Sequence, residues 1–109
     1  MTTWMRCHWA EGDLLFLFEV GDDGGVRRQV ELRGPDRIPV TAADSEEWEV
    51  AWRAGTAAAY VAGYGETTEL PVSEWEGHEP EWLTVEEFER VWREARRELA
   101  RRASRAGEG

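Results

Sequence analysis

Two strand-like runs joined by a short link of glycine and aspartate set the strongest limit on what this chain can fold into. Residues 13–20 (DLLFLFEV) are almost continuously apolar, too short for a buried helix and rich in Phe and Val, so they read as a strand. GDDGG at 21–25 follows, an acidic, glycine-rich link of the kind that closes a hairpin. Residues 26–33 (VRRQVELR) alternate, with Val26, Arg28, Val30 and Leu32 on one face and Arg27, Gln29, Glu31 and Arg33 on the other. Glu19 shares a face with Leu15 and Leu17. Its pairing with an arginine across the hairpin would contribute a few tenths of a kcal/mol to ~1 kcal/mol.

The rest of the chain adds elements to this hairpin. Residues 3–9 (TWMRCHW) alternate weakly, with Trp4, Arg6 and His8 on one face and Met5, Cys7 and Trp9 on the other. Gly34-Pro35-Asp36 is a turn, and Arg37–Thr41 follow as a fourth short strand. Asp44 or Ser45 can cap a middle helix, because Glu46, Glu47 and Glu49 crowd its first turn, where the helix dipole favours negative charge. Trp48, Trp52, Gly55, Ala59 and Ala62 fall at helical spacing and predict one helix over 44–62, ended by Gly63-Tyr64-Gly65. Its small-residue face suits either close packing on the sheet or the approach of a ligand or second backbone. Residues 66–83 read as an acidic, irregular connection, broken by Pro71, Gly77 and Pro80. Trp75 and Trp82 either anchor this connection to the core or wall a groove. Thr84 with Glu87 forms a capping box, and Val85, Phe88, Val91, Trp92, Ala95 and Leu99 make an apolar stripe. Glu86–Arg90, Glu89–Arg93 and Glu98–Arg102 are spaced as supporting ion pairs. This last helix is expected over 84–102. The reading is one α+β domain over 1–103, with residues 104–109 a soft tail.

Composition narrows the function classes. The chain has 109 residues, enough for one domain, and a formal net charge of −10. All 13 basic residues are arginine. Residues 1–89 carry 20 acidic and 6 arginine side chains, whereas residues 90–109 carry 3 acidic and 7 arginine side chains. An acidic body thus bears a basic terminal helix. The helix dipole accounts for arginines there, and a dimer contact or a docking site for an acidic partner would as well. The overall acidity argues against nucleic acid as the main partner. No apolar run is long enough for a membrane span, and no secretory signal is visible, so a cytoplasmic protein is expected. A lone cysteine, Cys7, excludes an intrachain disulfide framework and a Cys-based zinc site.

No catalytic constellation can be read from the sequence. Cys7 and His8 are neighbours, and on a strand they point to opposite sides. His8 and His78 do not close a metal site, and there is no phosphate loop. Neither a cofactor nor a metal is expected. Tryptophan is abundant, with 7 in the chain, and tryptophan and tyrosine supply large contact areas at interfaces. An acidic, aromatic surface suits a cationic or aromatic peptide. The candidate substrate-binding residues are Trp4, His8, Arg27 or Arg28, Glu31, Trp48, Trp52, Tyr60, Tyr64 and Trp75.

Read in order, WMRCHW, FLFEVGDDGGVRRQVEL and EWLTVEEFERVWREA resemble a family of small bacterial domains of unknown function. Its pattern is a strand with tryptophan-like ends, a strand ending in Glu and Asp (here Glu19 and Asp22), then R-K-V-E (here Arg28 to Glu31). A helix corresponding to Thr84–Trp92 closes it. The resemblance covers about half of the chain and implies an immunity-like role beside toxin genes. The chain departs from the pattern in the middle, where RGPDRIP replaces a D-G hairpin and residues 44–65 look like an added helix. In size and in its arginine-, alanine- and glutamate-rich style, the chain is also similar to the lysinoalanine synthases of cinnamycin- and duramycin-type lanthipeptide pathways. That resemblance implies a homodimer that binds a thioether-bridged peptide and preorganises it, so that a lysine amine adds to a dehydroalanine. Holding reactive groups in near-attack geometry can supply about 7–11 kcal/mol of such a barrier.

The expectation is therefore an α+β fold with a small antiparallel sheet of three to four strands, a middle helix and a C-terminal helix. The function expected is preorganisation of a modified precursor peptide for lysinoalanine formation. The alternative is an interaction protein that neutralises a toxin.

Overall fold

The structure, a computed structural model, describes residues 1–67 and 81–108. It is an α+β fold. The strands are β1 (Thr3–Trp9), β2 (Leu14–Val20), β3 (Val26–Arg33), β4 (Ile38–Asp44) and β5 (Glu81–Trp82). They form one sheet in the order β4-β3-β2-β1-β5, and every pairing is antiparallel. The fourth strand starts one residue later and runs three residues further than 37–41. The pair β5, paired to Met5 and Arg6, is an addition to the expected sheet; two residues are too few to show a period.

The hairpin between β2 and β3 forms as its composition predicts. Gly21 accepts from Gly24 and donates to Gly25, and the Asp23 carboxylate accepts from the Gly25 N–H at 2.9 Å. One detail changes the faces. Glu19 pairs with Arg28 while Val20 pairs with Val26, so Arg27 is the extra residue of a bulge. Val26 therefore joins the opposite face from Arg28, among Met5, Cys7, Phe16, Phe18 and Val20. The simple alternation placed it with Val30 and Leu32.

The middle helix is two helices, α1 (Ser45–Ala54) and α2 (Ala57–Tyr64). Asp44 is the cap of α1, accepting from the N–H groups of Glu46 and Glu47. Gly55 ends it in the left-handed conformation, φ 77°, which glycine adopts without steric cost. The single face of Trp48, Trp52, Gly55, Ala59 and Ala62 is therefore broken after Trp52.

The helix α3 (Val85–Glu108) packs on one sheet face. Its capping box forms, with the Glu87 N–H donating to Thr84 Oγ1 at 3.2 Å and the Thr84 N–H to Glu87 at 3.4 Å. Phe88, Ala95 and Leu99 are buried against Leu17, Val30, Leu32 and Ala42, with Val91, Trp92, Trp4 and Tyr64 packed around them. Burying a side chain such as Phe88 or Leu99 contributes about 1.5–3 kcal/mol each. The helix continues to Glu108 rather than stopping near 102; Ala103, Arg105 and Ala106 among the added residues favour helix. No helix among the described residues is long and apolar enough to cross a membrane.

Candidate functional site

Arginines organise the helix–sheet seam. Arg28, at the centre of β3, donates Nε and Nη2 to the Glu19 carboxylate at 2.9 and 2.6 Å and also pairs with Glu89 of α3. Trp4 donates its indole N–H to the same Glu19 at 2.9 Å. Burial opposes the charge on Arg28, but its two carboxylate partners outweigh that and raise its pKa. Glu19 is held below the usual carboxylate range, chiefly by the Arg28 hydrogen bonds. This explains a departure from the expected ion pairs. Glu89 turns inward to Arg28 instead of pairing with Arg93, and Glu86–Arg90 is not among the ion pairs of the described residues, whereas Glu98–Arg102 forms.

The ring of Trp92 has two guanidiniums over it. Arg28 is 5.0 Å from its centroid and Arg96 is 4.4 Å from it. Arg96 also stacks on Tyr64 at 4.0 Å, donates to the Ala42 carbonyl at 2.7 Å, and reaches Glu47 and the Tyr60 hydroxyl. Tyr60 donates to Glu47 at 2.7 Å and accepts from the Asp44 N–H at 2.9 Å. Burial is the main cause that pushes its phenol up to about 12, with Glu47 adding to it. Burial also opposes ionisation of Glu47, yet hydrogen bonds from Arg96 and Tyr60 prevail and hold its carboxyl low. Tyr60 and Tyr64 thus tie α2 to α1, β4 and α3.

The remaining candidates are distributed over the surface. His8 is exposed and meets Asp13 at 3.1 Å, on the opposite side of β1 from the buried Cys7. Arg27 is exposed at the bulge beside Gly21. Glu31 is half-buried on the face that carries Phe16 and Thr41, and burial pushes its carboxyl up. Trp75 and His78 lie outside the described residues. Trp82, on β5, is 69% exposed and so does not anchor the core.

Trp48 and Trp52 come together on α1, their rings stacked with centroids 5.8 Å apart. Trp52 is 65% exposed. Beside Trp48 lies a cleft of about 280 Å³, lined among the described residues by Ser45, Trp48, Glu49, Glu66 and Thr67. Glu49 already pairs with Arg53 at 3.2 Å on the exposed surface, and the aromatic face beside it and Glu66 attracts a cation both by its ring quadrupole and by charge. The two tryptophans were legible from their spacing of four. Glu66, which joins them by way of the α2 turn, carried no such signal.

Fold and site together define a small α+β protein in which a long arginine-bearing helix covers one face of an antiparallel sheet and an acidic, aromatic cleft opens beside α1. No family model matches the chain, and no curated protein or solved structure matches it either.

Proposed function

We propose that this protein binds a cationic peptide, with the peptide's charged side chain seated between Trp48 and the carboxylates of Glu49 and Glu66. The carrying observation is the cleft that joins those three side chains. The stacked Trp52 gives the aromatic wall rigidity at small entropic cost, as interface tryptophans do.

The specific substrate of this reading is a modified precursor peptide that contains dehydroalanine. Its lysine amine forms a bond to the alkene β-carbon as the π bond breaks. The proton lost by nitrogen is balanced by one gained at the α-carbon. The protein's part is to hold amine and alkene together, which is where proximity lowers the barrier. The test is incubation with such a peptide followed by a thiol trap. Crosslinking leaves the mass unchanged and removes the alkene, so thiol adducts should fall with the protein present and return with Trp48→Ala or with Glu49→Gln/Glu66→Gln. Adducts that stay at the control level would reject the crosslinking activity. A toxin protein that binds the same cleft, with no effect on the peptide, would instead support the immunity-like alternative.

A further inference from the structure

A second cleft, of about 590 Å³, lies where the C-terminal end of α2, the start of β4 and the later turns of α3 meet. Its size falls in the range of small-molecule sites. Its walls are aliphatic, from Ile38, Pro39, Val40 and Leu99. Its other apolar lining is small: Ala62, Gly63 and Ala103. A side chain placed on Gly63 would meet nothing within 4 Å, so the space above α2 is open. Ile38 stands half-exposed at 49%.

Two arginines, Arg33 and Arg102, also line this cleft. Arg102 is partly committed, donating Nε to Glu98 at 3.3 Å and Nη1 to the Pro39 carbonyl at 2.6 Å. Its Nη2 has no hydrogen-bond partner among the described residues. Arg33 is exposed and makes no ion pair among the described residues, although its charge reaches Glu31 two positions along β3. The adjoining cleft shares Ile38, Pro39 and Arg102 and adds Arg37, but Asp36, Glu94 and Glu98 outnumber its two arginines, so an anion is favoured on the Arg33 side.

We propose that this cleft binds an aliphatic carboxylate, its chain against Ile38, Val40 and Leu99 and its head group on Arg33 and Arg102. The aliphatic walls fit a hydrocarbon chain, and the guanidiniums fit a carboxylate through charge-assisted hydrogen bonds. A peptide strand is disfavoured as occupant. Proline has no N–H to offer at position 39, and its carbonyl is already taken by Arg102.

The experiment is a titration of the full-length protein with decanoate, followed by backbone amide NMR and calorimetry. Saturable binding that shifts the amides of Ala62, Gly63 and Ala103 is expected. Gly63→Leu fills the cleft and Arg33→Gln removes a head-group contact; each should weaken binding about tenfold or more, the scale of one lost charge-assisted hydrogen bond or apolar contact. Gly63→Leu favours the helix, so circular dichroism should show an intact fold. Acetate, which lacks the chain, and decylammonium, which inverts the charge, should not bind there. The proposal is overturned by no saturation, by equal binding of decylammonium, or by decanoate binding unchanged in Gly63→Leu or Arg33→Gln. A peptide with a free apolar C-terminus that displaces decanoate and binds more tightly would also overturn it.

Discussion

Arg28 grips Glu19 across the β2–β3 pair through two hydrogen bonds, and both side chains are largely enclosed, 15% and 14% exposed. Removing one partner leaves the other charged in a poorly solvated place. Arg28→Leu is therefore expected to lower stability by about 3 kcal/mol or more. Arg28→Leu combined with Glu19→Leu should recover part of that loss, because the enclosed carboxylate is gone and only the more exposed Glu89 is left without its partner. Urea unfolding of the two variants checks this; a double variant no more stable than the single one would contradict it.

Glu19 and Glu31 should respond to pH in opposite senses. The folded-state pKa of Glu19 is lowered, mainly by its hydrogen bonds with Arg28. Its contribution is thus fully present above the ordinary value of 4.5 and is lost as pH falls through the lowered one. Glu31 is raised by burial. Its contribution is fully present below 4.5 and is lost as pH rises through the raised value. Glu31→Gln, which cannot ionise, should raise the melting temperature at pH 7, and the gain should vanish in acid. An equal gain at both pH values would contradict the assignment to charge burial.

Gly55 and Gly65 both have positive φ, 77° and 81°, yet substitution should cost different amounts. A Cβ on Gly55 meets nothing within 4 Å, so Gly55→Ala costs only the left-handed backbone, about 1 kcal/mol. Gly65 has ψ −161°, a region for which strain alone is about 1–3 kcal/mol. Its Cβ would also lie 2.7 Å from Thr41 Oγ1, so Gly65→Ala should be clearly worse. Thermal melts of the two variants side by side check the order.

Tyr60→Phe removes one hydroxyl that serves Asp44, Glu47 and Arg96. The expected loss is about 1 kcal/mol, because the half-buried Asp44 N–H loses its acceptor while the exposed Glu47 keeps Arg96 and reaches water. Amide exchange should speed up first in α2 and at the Asp44 N–H. Unchanged protection there would reject this role.

Cys7 is 1% exposed, and burial pushes its thiol up. It should react with a thiol reagent only through unfolding, so the labelling rate should rise in Arg28→Leu. Fast labelling of the native protein would show that β1 opens on its own.

The hairpin shows how far local patterns reach. Residues 13–33 declared two strands and a turn through period and turn chemistry, and GDDGG closed as its glycines require. The bulge at Arg27 was not legible, since it has no mark in an alternating run with two adjacent arginines. That one residue decided which face Val26 joins, while the Glu19–Arg28 pair kept the regular register. In the candidate site, Trp48 and Trp52 were visible as helical neighbours. Glu66 was not, because its place beside Trp48 depends on how α2 returns along α1.

By itself, the sequence determined what depends on neighbours within about one helical turn or one hairpin: the β2–β3 pair, the Asp44 and Thr84 caps, and the apolar stripe of α3. Only the tertiary structure decided which of many identical arginines serve the seam. Glu89 meets Arg28 across 61 positions and Arg96 meets the Ala42 carbonyl across 54. All 13 basic residues have the same side chain, so sequence spacing ranks none of them as partner. Burial against Phe88 and Trp92 makes that choice, because a desolvated guanidinium must find a carboxylate or carbonyl close at hand.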